Sequence, residues 1–220
     1  MNSSNFFYTQ SLTISVFLTI ITSFSAQADW FVRPFVGLSQ MSDLTVKATD
    51  IDSLSGDAQI KLDSGFNAGL GVGYQYSNNL AVELAWEYRS NGSETTIDEQ
   101  SVFNEGNYAS NMFFVNGFYY FDEVNNWSPY LGAGLSWIQE VDIDLERDGI
   151  EQSYSGSSDT GYQIFAGVDY QLTPEWLVQF ELRYGSVTDI ALDGEEGATG
   201  SFDNFDYQTT TSQLGIVYRF

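Results

Sequence analysis

Eight charged residues carry most of the chemistry open to this chain: Arg33, Glu83, Glu87, Arg89, Asp169, Glu181, Arg183 and Arg219. The 220 residues include no His and no Cys. Histidine is the commonest general base near neutral pH, so Ser/His/Asp and Asp/His catalysis are excluded. Without cysteine there is no disulfide, thiol nucleophile or Cys-based lipid anchor. Carboxylate pairs remain. Glu83 and Glu87 are four residues apart, which on a strand sets them on one face at about 13 Å. Arg89 shares that face, and structural ion-pair networks imitate catalytic ones, so pairing outweighs acid–base work. Gly71-Val72-Gly73 is followed by a strand pattern rather than a helix, so it is no nucleotide loop. We expect no enzymatic activity, no cofactor and no built metal site.

The elements that position these charges have period two. In Gly65–Tyr76, Phe66, Ala68, Leu70, Val72, Tyr74 and Tyr76 share one face; Gly65, Asn67, Gly69, Gly71, Gly73 and Gln75 share the other. After Ser77-Asn78-Asn79, a tight turn, Leu80, Val82, Leu84, Trp86 and Tyr88 oppose Ala81, Glu83, Ala85, Glu87 and Arg89. Similar alternation near Trp30–Gln40, Ser110–Phe121, Pro129–Gln139, Gly161–Leu172, Trp176–Gly185 and Thr209–Phe220 makes eight strands.

An internal repeat supports that count. "GVGYQYSNNLAVELAWEYR" from Gly71 matches "GVDYQLTPEWLVQFELRYG" from Gly167, an offset of 96 residues. "VNGFYYF" from Val115 matches "LGIVYRF" from Leu214, which sets Asn116 opposite the apolar face of its strand. Short connections at 77–79, 122–128 and 173–175 alternate with long ones near 42–63, 90–107, 139–160 and 186–206. An even strand count with short turns at one end and long loops at the other is the pattern of an outer-membrane barrel. The fold expected is all-β: an eight-stranded antiparallel up-and-down transmembrane β-barrel over residues 29–220. Before it, the apolar run Leu12–Phe24 and Ala26-Gln27-Ala28 predict a secretory signal over residues 1–28, cleaved before Asp29, although its start carries no Lys or Arg.

The net charge is −23. The four long connections hold 22 acids and three bases, Lys47, Lys61 and Arg147. The eight charges named first all fall opposite the apolar face, four of each sign, so the interior is formally neutral. An eight-stranded barrel is about wide enough for side chains to fill, and buried charges must be paired. We therefore expect a plugged interior, with Gln75, Gln163, Gln179 and Gln213 as fillers. Glycines of the second strand would make room for Phe31, Phe35, Tyr130 or Phe165. Past Gln139 the alternation continues. Val141, Ile143 and Leu145 keep the outward parity; Glu140, Asp142, Asp144 and Glu146 keep the inward one, as a weak divalent-cation rung at the mouth. "DLERDG" from Asp144 resembles the start of a Ca²⁺ loop, but Ser155 stands where the bidentate Glu belongs.

"WSPYLGAGLSW", "GVDYQLTPEWLVQFELRYG" and the final "YRF" resemble the small OmpA/OmpX-like outer-membrane β-barrel domains over essentially the whole predicted mature chain. The resemblance implies a barrel in the outer membrane of a Gram-negative bacterium, with periplasmic termini and extracellular long loops. It implies contact with outer-membrane lipid and lipopolysaccharide. Gln213, Gly215, Tyr218 and Phe220 resemble the signal read by the barrel-assembly machinery. Enzymes among such barrels typically use a histidine, which this chain lacks. We expect a monomer with a structural or interaction role at the cell envelope. The alternatives are a narrow cation-preferring, porin-like channel and, more weakly, a lipid-modifying enzyme. The acidic loops should repel nucleic acid.

Overall fold

A computed structural model describes residues 30–98, 101–103, 105–147, 149–157, 160–195 and 197–220. The predicted signal over 1–28 and its cleavage site lie outside them. Among the described residues there are twelve strands: β1 (Trp30–Met41), β2 (Leu44–Ile51), β3 (Leu54–Leu62), β4 (Gly65–Gln75), β5 (Leu80–Ile97), β6 (Ser101–Phe103), β7 (Glu105–Tyr120), β8 (Trp127–Arg147), β9 (Ile150–Gly156), β10 (Thr160–Gln171), β11 (Trp176–Gly194) and β12 (Ser201–Arg219). Eight of them close an antiparallel ring in the order β1, β4, β5, β7, β8, β10, β11, β12 and back to β1. Closure leaves no unpaired edge.

Three tight turns lie at one end of the ring, the turn end. The repeat is visible in their chemistry. Ser77 Oγ accepts from the backbone N–H groups of Asn79 and Leu80 at 3.3 and 3.2 Å. Thr173 Oγ1, the residue 96 positions later, accepts from Glu175 and Trp176 at 3.3 and 3.2 Å. Both hairpins start from the same hydroxyl-braced turn.

The opposite, hairpin end differs from the sequence expectation. All four long connections contain strand, not only the third. The β2–β3 hairpin stands between β12 and β5, and β9 stands between β8 and β11, so a second closed ring continues the first. The hairpin was encoded by alternation too: Leu44, Val46, Ala48, Ala58, Ile60 and Leu62 are all buried.

The side-chain parity also differs, for a physical reason. Around the first ring the outward face is apolar: Leu70, Leu84, Leu135, Ile164, Leu182 and Leu214 are all exposed. Aromatics border this band at both ends. On β8 they are Trp127 and Trp137, on β11 Trp176 and Tyr184. Eight to ten residues of tilted strand between them span about 20–25 Å. Beyond Trp137 the register with β7 shifts, so that Asn111 faces Glu140 while Met112 faces Ile138. Gln139 is the extra residue of a β-bulge. A one-residue shift moves every later side chain to the other face. Val141, Ile143 and Leu145 therefore point inward, and at most 1 % of each is exposed. This corrects the parity expected from alternation alone: Glu140, Asp142, Asp144 and Glu146 face outward.

Further irregularities lie between Val187 and Ile190 on β11 and between Ile190 and Leu192, opposite Phe205 and Phe202 of β12. Asp189 and Asn204, at φ 61° and 59°, supply the left-handed backbone that such kinks require. The hairpin end is consequently filled by an apolar cluster including Ile51, Ile60, Ile143, Ile190, Phe202 and Phe205. A smaller cluster of Phe31, Phe118, Tyr120, Tyr130 and Phe165 fills the turn end. Between them lies a polar belt.

Candidate functional site: the interior ion-pair belt

Every strand of the first ring sends a side chain into the belt. Arg33 on β1 lies against Glu83 on β5 across the intervening β4. Its Nε donates to Oε2 and its Nη2 to Oε1, each at 2.7 Å. This is the two-pronged geometry that guanidinium offers carboxylate. Gly71 on β4 makes it sterically feasible, since a Cβ there would overlap the Glu83 carboxylate. The third prong, Nη1, donates to Gln179 Oε1 at 2.7 Å. Asn116 Nδ2 donates to Glu83 Oε1 at 3.0 Å, and Gln163 Nε2 supports Asn116 Oδ1 at 2.6 Å.

Two more carboxylates complete the belt. Glu87 accepts from Arg89 Nη2 at 2.6 Å, Arg183 Nη1 at 3.3 Å and Asn67 Nδ2 at 3.0 Å. Glu181 accepts from Arg183 Nη2 at 2.6 Å, Gln213 Nε2 at 2.8 Å and the Tyr130 hydroxyl at 2.8 Å. Arg89 Nη1 donates to Ser39 Oγ at 2.6 Å and also to Thr209 Oγ1. Aromatic rings cover the guanidiniums. Arg33 lies 4.8 Å from the Phe35 centroid; Arg183 lies 5.5 Å from those of Phe114 and Phe165. The six ions, Arg33, Glu83, Glu87, Arg89, Glu181 and Arg183, are 0–3 % exposed.

The other two predicted interior charges stand apart. Asp169 is buried and accepts from Gln179 Nε2 at 2.9 Å, but no ion pair within 4 Å joins it among the described residues. Arg219 is half-buried at the turn end, where it lines two open cavities with Gln75 and Asn78. The belt thus contains three cations and three anions, not four of each.

The expected fillers divide similarly. Gln163, Gln179 and Gln213 are buried; Gln75 is half-buried at the turn end. The glycine–aromatic fit is wider than expected. A Cβ at Gly69 or Gly73 would strike Phe35 or Phe31, while Tyr130 and Phe165 lie against Gly167 and Gly132 on other strands. Ser39, Asn67 and Thr209 were given no role from sequence, and Asn116 and Tyr130 were placed inward without a hydrogen-bonding role. All have the inward parity of their strands, which was the available signal.

Of the four C-terminal residues singled out, Gln213 and Gly215 point into the barrel and Tyr218 points out. Tyr218 packs on Trp176 at 4.6 Å and on Phe220 at 5.3 Å between centroids. The four carboxylates of the expected rung line the outside of β8. Asp144 Oδ1 accepts from Ser153 Oγ at 2.6 Å. Arg147, inside the calcium-like stretch, pairs with Asp52 and lies 4.8 Å from the Phe103 ring centroid. No cluster of three or more metal-ligating side chains occurs among the described residues.

A closed antiparallel ring with an apolar, aromatic-bordered exterior and a charged, paired interior defines a transmembrane β-barrel. The chain belongs to the outer membrane protein beta-barrel domain family, whose model matches residues 14–220. It is similar to outer membrane protein W of Vibrio cholerae, with 22% identity over 173 residues, 75% of this chain and 76% of that protein. In fold it is similar to OprG of Pseudomonas aeruginosa (TM-score 0.62, 15% identity, 88% of this chain and 97% of that one). It is also similar to neisserial surface protein A (TM-score 0.56, 18% identity, 88% of this chain and 98% of that one).

Proposed function

We propose that the protein is a monomeric, plugged, non-enzymatic barrel of the Gram-negative outer membrane with a structural or interaction role at the cell envelope. The observation that carries this reading is the belt itself: six buried ions held by side chains from all eight strands of the ring. An ion passing along the axis would have to break several charge-assisted hydrogen bonds at once. The carboxylates that would serve as acid and base, Glu83 and Glu87, are each held by arginine.

On this reading the turn end is periplasmic and the hairpin end extracellular. The parity change near Gln139 marks the outer membrane surface: below it the exterior meets lipid, above it water. The outward apolar band contacts outer-membrane lipid, and the acidic hairpin exterior meets lipopolysaccharide and repels nucleic acid. Tyr218 and Phe220 serve the barrel-assembly machinery during insertion. The test is solute flux. Liposomes carrying the refolded protein should retain small ions as well as empty liposomes do. Rapid, cation-selective leakage would establish the channel reading instead, and release of fatty acid from lipid A would establish an enzyme.

A further inference from the structure

At its hairpin-end edge the belt meets polar atoms that it does not use. Arg89 Nε, Ser110 Oγ, Tyr108 OH, Ser93 Oγ and Thr95 Oγ1 are buried and have no hydrogen-bond partner among the described residues. They form one seam. Arg89 faces Ser110 across the β5–β7 ladder, and Asn91 faces Tyr108. Ser93 and Thr95 continue the inward face of β5, with the Ser93 hydroxyl seated beside the bare backbone of Gly106 on β7. Most of the facing wall at this level is apolar, and the Tyr108 ring stacks on Phe205 at 6.1 Å between centroids; the Tyr207 ring lies 6.1 Å from that of Tyr108 and 5.8 Å from the Arg89 guanidinium. Ile97, fully buried, ends the seam on β5.

Leaving such atoms unpartnered is unfavourable, and apart from the Tyr207 hydroxyl the residues opposite offer neither donors nor acceptors. The occupant must be small, and it must both donate and accept, because the hydroxyls do both and the Arg89 Nε–H only donates. It must also be neutral. The three arginines and three glutamates of the belt already balance, so an added anion would be uncompensated, and a cation would meet Arg89.

We propose that the β5–β7 seam binds a file of buried water, running from Arg89 to Thr95 and stopped by Ile97. The six-residue rise is about 20 Å of strand, and each water along it would make about three hydrogen bonds. The interior is then layered as a charged belt, a one-sided wet seam and an apolar cap.

The test is water–protein cross-relaxation NMR on isotope-labelled protein refolded in lipid nanodiscs. Water cross-peaks are expected at Ser93, Thr95, Tyr108 and Ser110, and none at buried Ile190 on β11, a strand that pairs with neither β5 nor β7. Their absence from every seam residue would overturn the proposal. In Tyr108→Phe the cross-peaks near residue 108 should vanish and the thermal midpoint should fall, since the waters lose a partner. An unchanged or raised midpoint would mean a dry hydroxyl and would overturn it as well. Ser93→Ala provides the same comparison should Tyr108→Phe fail to fold. An anomalous bromide peak at Arg89 Nε in soaked crystals would assign the site to an anion and refute the water file. Failure of the plugged reading appears as solute leakage, a separate readout.

Discussion

Arg33 and Glu83 are fifty residues apart in sequence, yet they meet by two 2.7 Å hydrogen bonds over the bare backbone of Gly71. Each is the other's ion-pair partner within 4 Å among the described residues. Removing one partner leaves the other buried and unpaired, which costs about 3–5 kcal/mol. Glu83→Gln should therefore lower unfolding stability in urea by that order. The double variant Arg33→Met/Glu83→Met should recover much of the loss, because paired apolar replacements of similar size remove both desolvation penalties. A double variant no more stable than Glu83→Gln would contradict the pairing.

Gly71 on β4 should accept no side chain unless the Glu83 carboxylate moves. A methyl group there meets the Glu83 carboxylate, so Gly71→Ala should destabilise by about 1–3 kcal/mol, as overpacking does. Gly117, on the outward face of β7, is the control. A Cβ there has nothing nearer than 3.8 Å, and Gly117→Ala should refold like the parent. The comparison is read as the difference in urea midpoint. Equal midpoints for both variants would show that the carboxylate can move aside.

Deleting Gln139 should be tolerated, because the bulge absorbs that one residue. Without it Ile138 stays inward, Glu140 outward and Val141 inward in strict alternation, opposite Met112, Asn111 and Ser110. The variant should keep the heat-modifiable gel mobility of a folded barrel, and proteases should spare residues 139–160 as in the parent. Cleavage there at protease doses that the parent survives would show that the hairpin end does not keep its parity and that Gln139 is not the extra residue.

Asp142 adds a pH dependence. Desolvation, with Glu140, Glu195 and Asp144 nearby, pushes its carboxyl from 3.8 up to about 6. The fold thus holds this proton more tightly than the unfolded chain does. Lowering the pH from above 6 toward 4 should stabilise the hairpin end through this group; raising it through that window should remove the gain. Protease resistance of the hairpins should be greater at pH 5 than at pH 7, and Asp142→Asn should weaken that difference. A carboxyl titration midpoint near 4 by NMR would refute the shift.

Much of the barrel was legible in sequence because lipid on one side and a narrow lumen on the other impose strict alternation. That is why Glu83, Glu87, Arg89, Glu181 and Arg183 could be assigned inward from parity alone. Past Trp137 the rule changes: the exterior becomes polar, so the interior can become apolar. The written alternation of Val141, Ile143 and Leu145 runs on without a break, and nothing in it announces the bulge at Gln139. The change of surroundings was the clue, since four outward carboxylates suit water better than an enclosed mouth. Asp169 and Arg219 show another limit. Parity puts them on the belt's face, but not at the belt's height.

The central claim is that the belt closes the barrel, and single-channel recording tests it most directly. Purified, refolded protein in a planar bilayer should give no steady conductance, in the parent or in the conservative variant Arg183→Lys. Regular cation-selective openings in the parent, changed in size by Glu83→Gln or Arg183→Gln, would contradict the account and place the belt in an ion path.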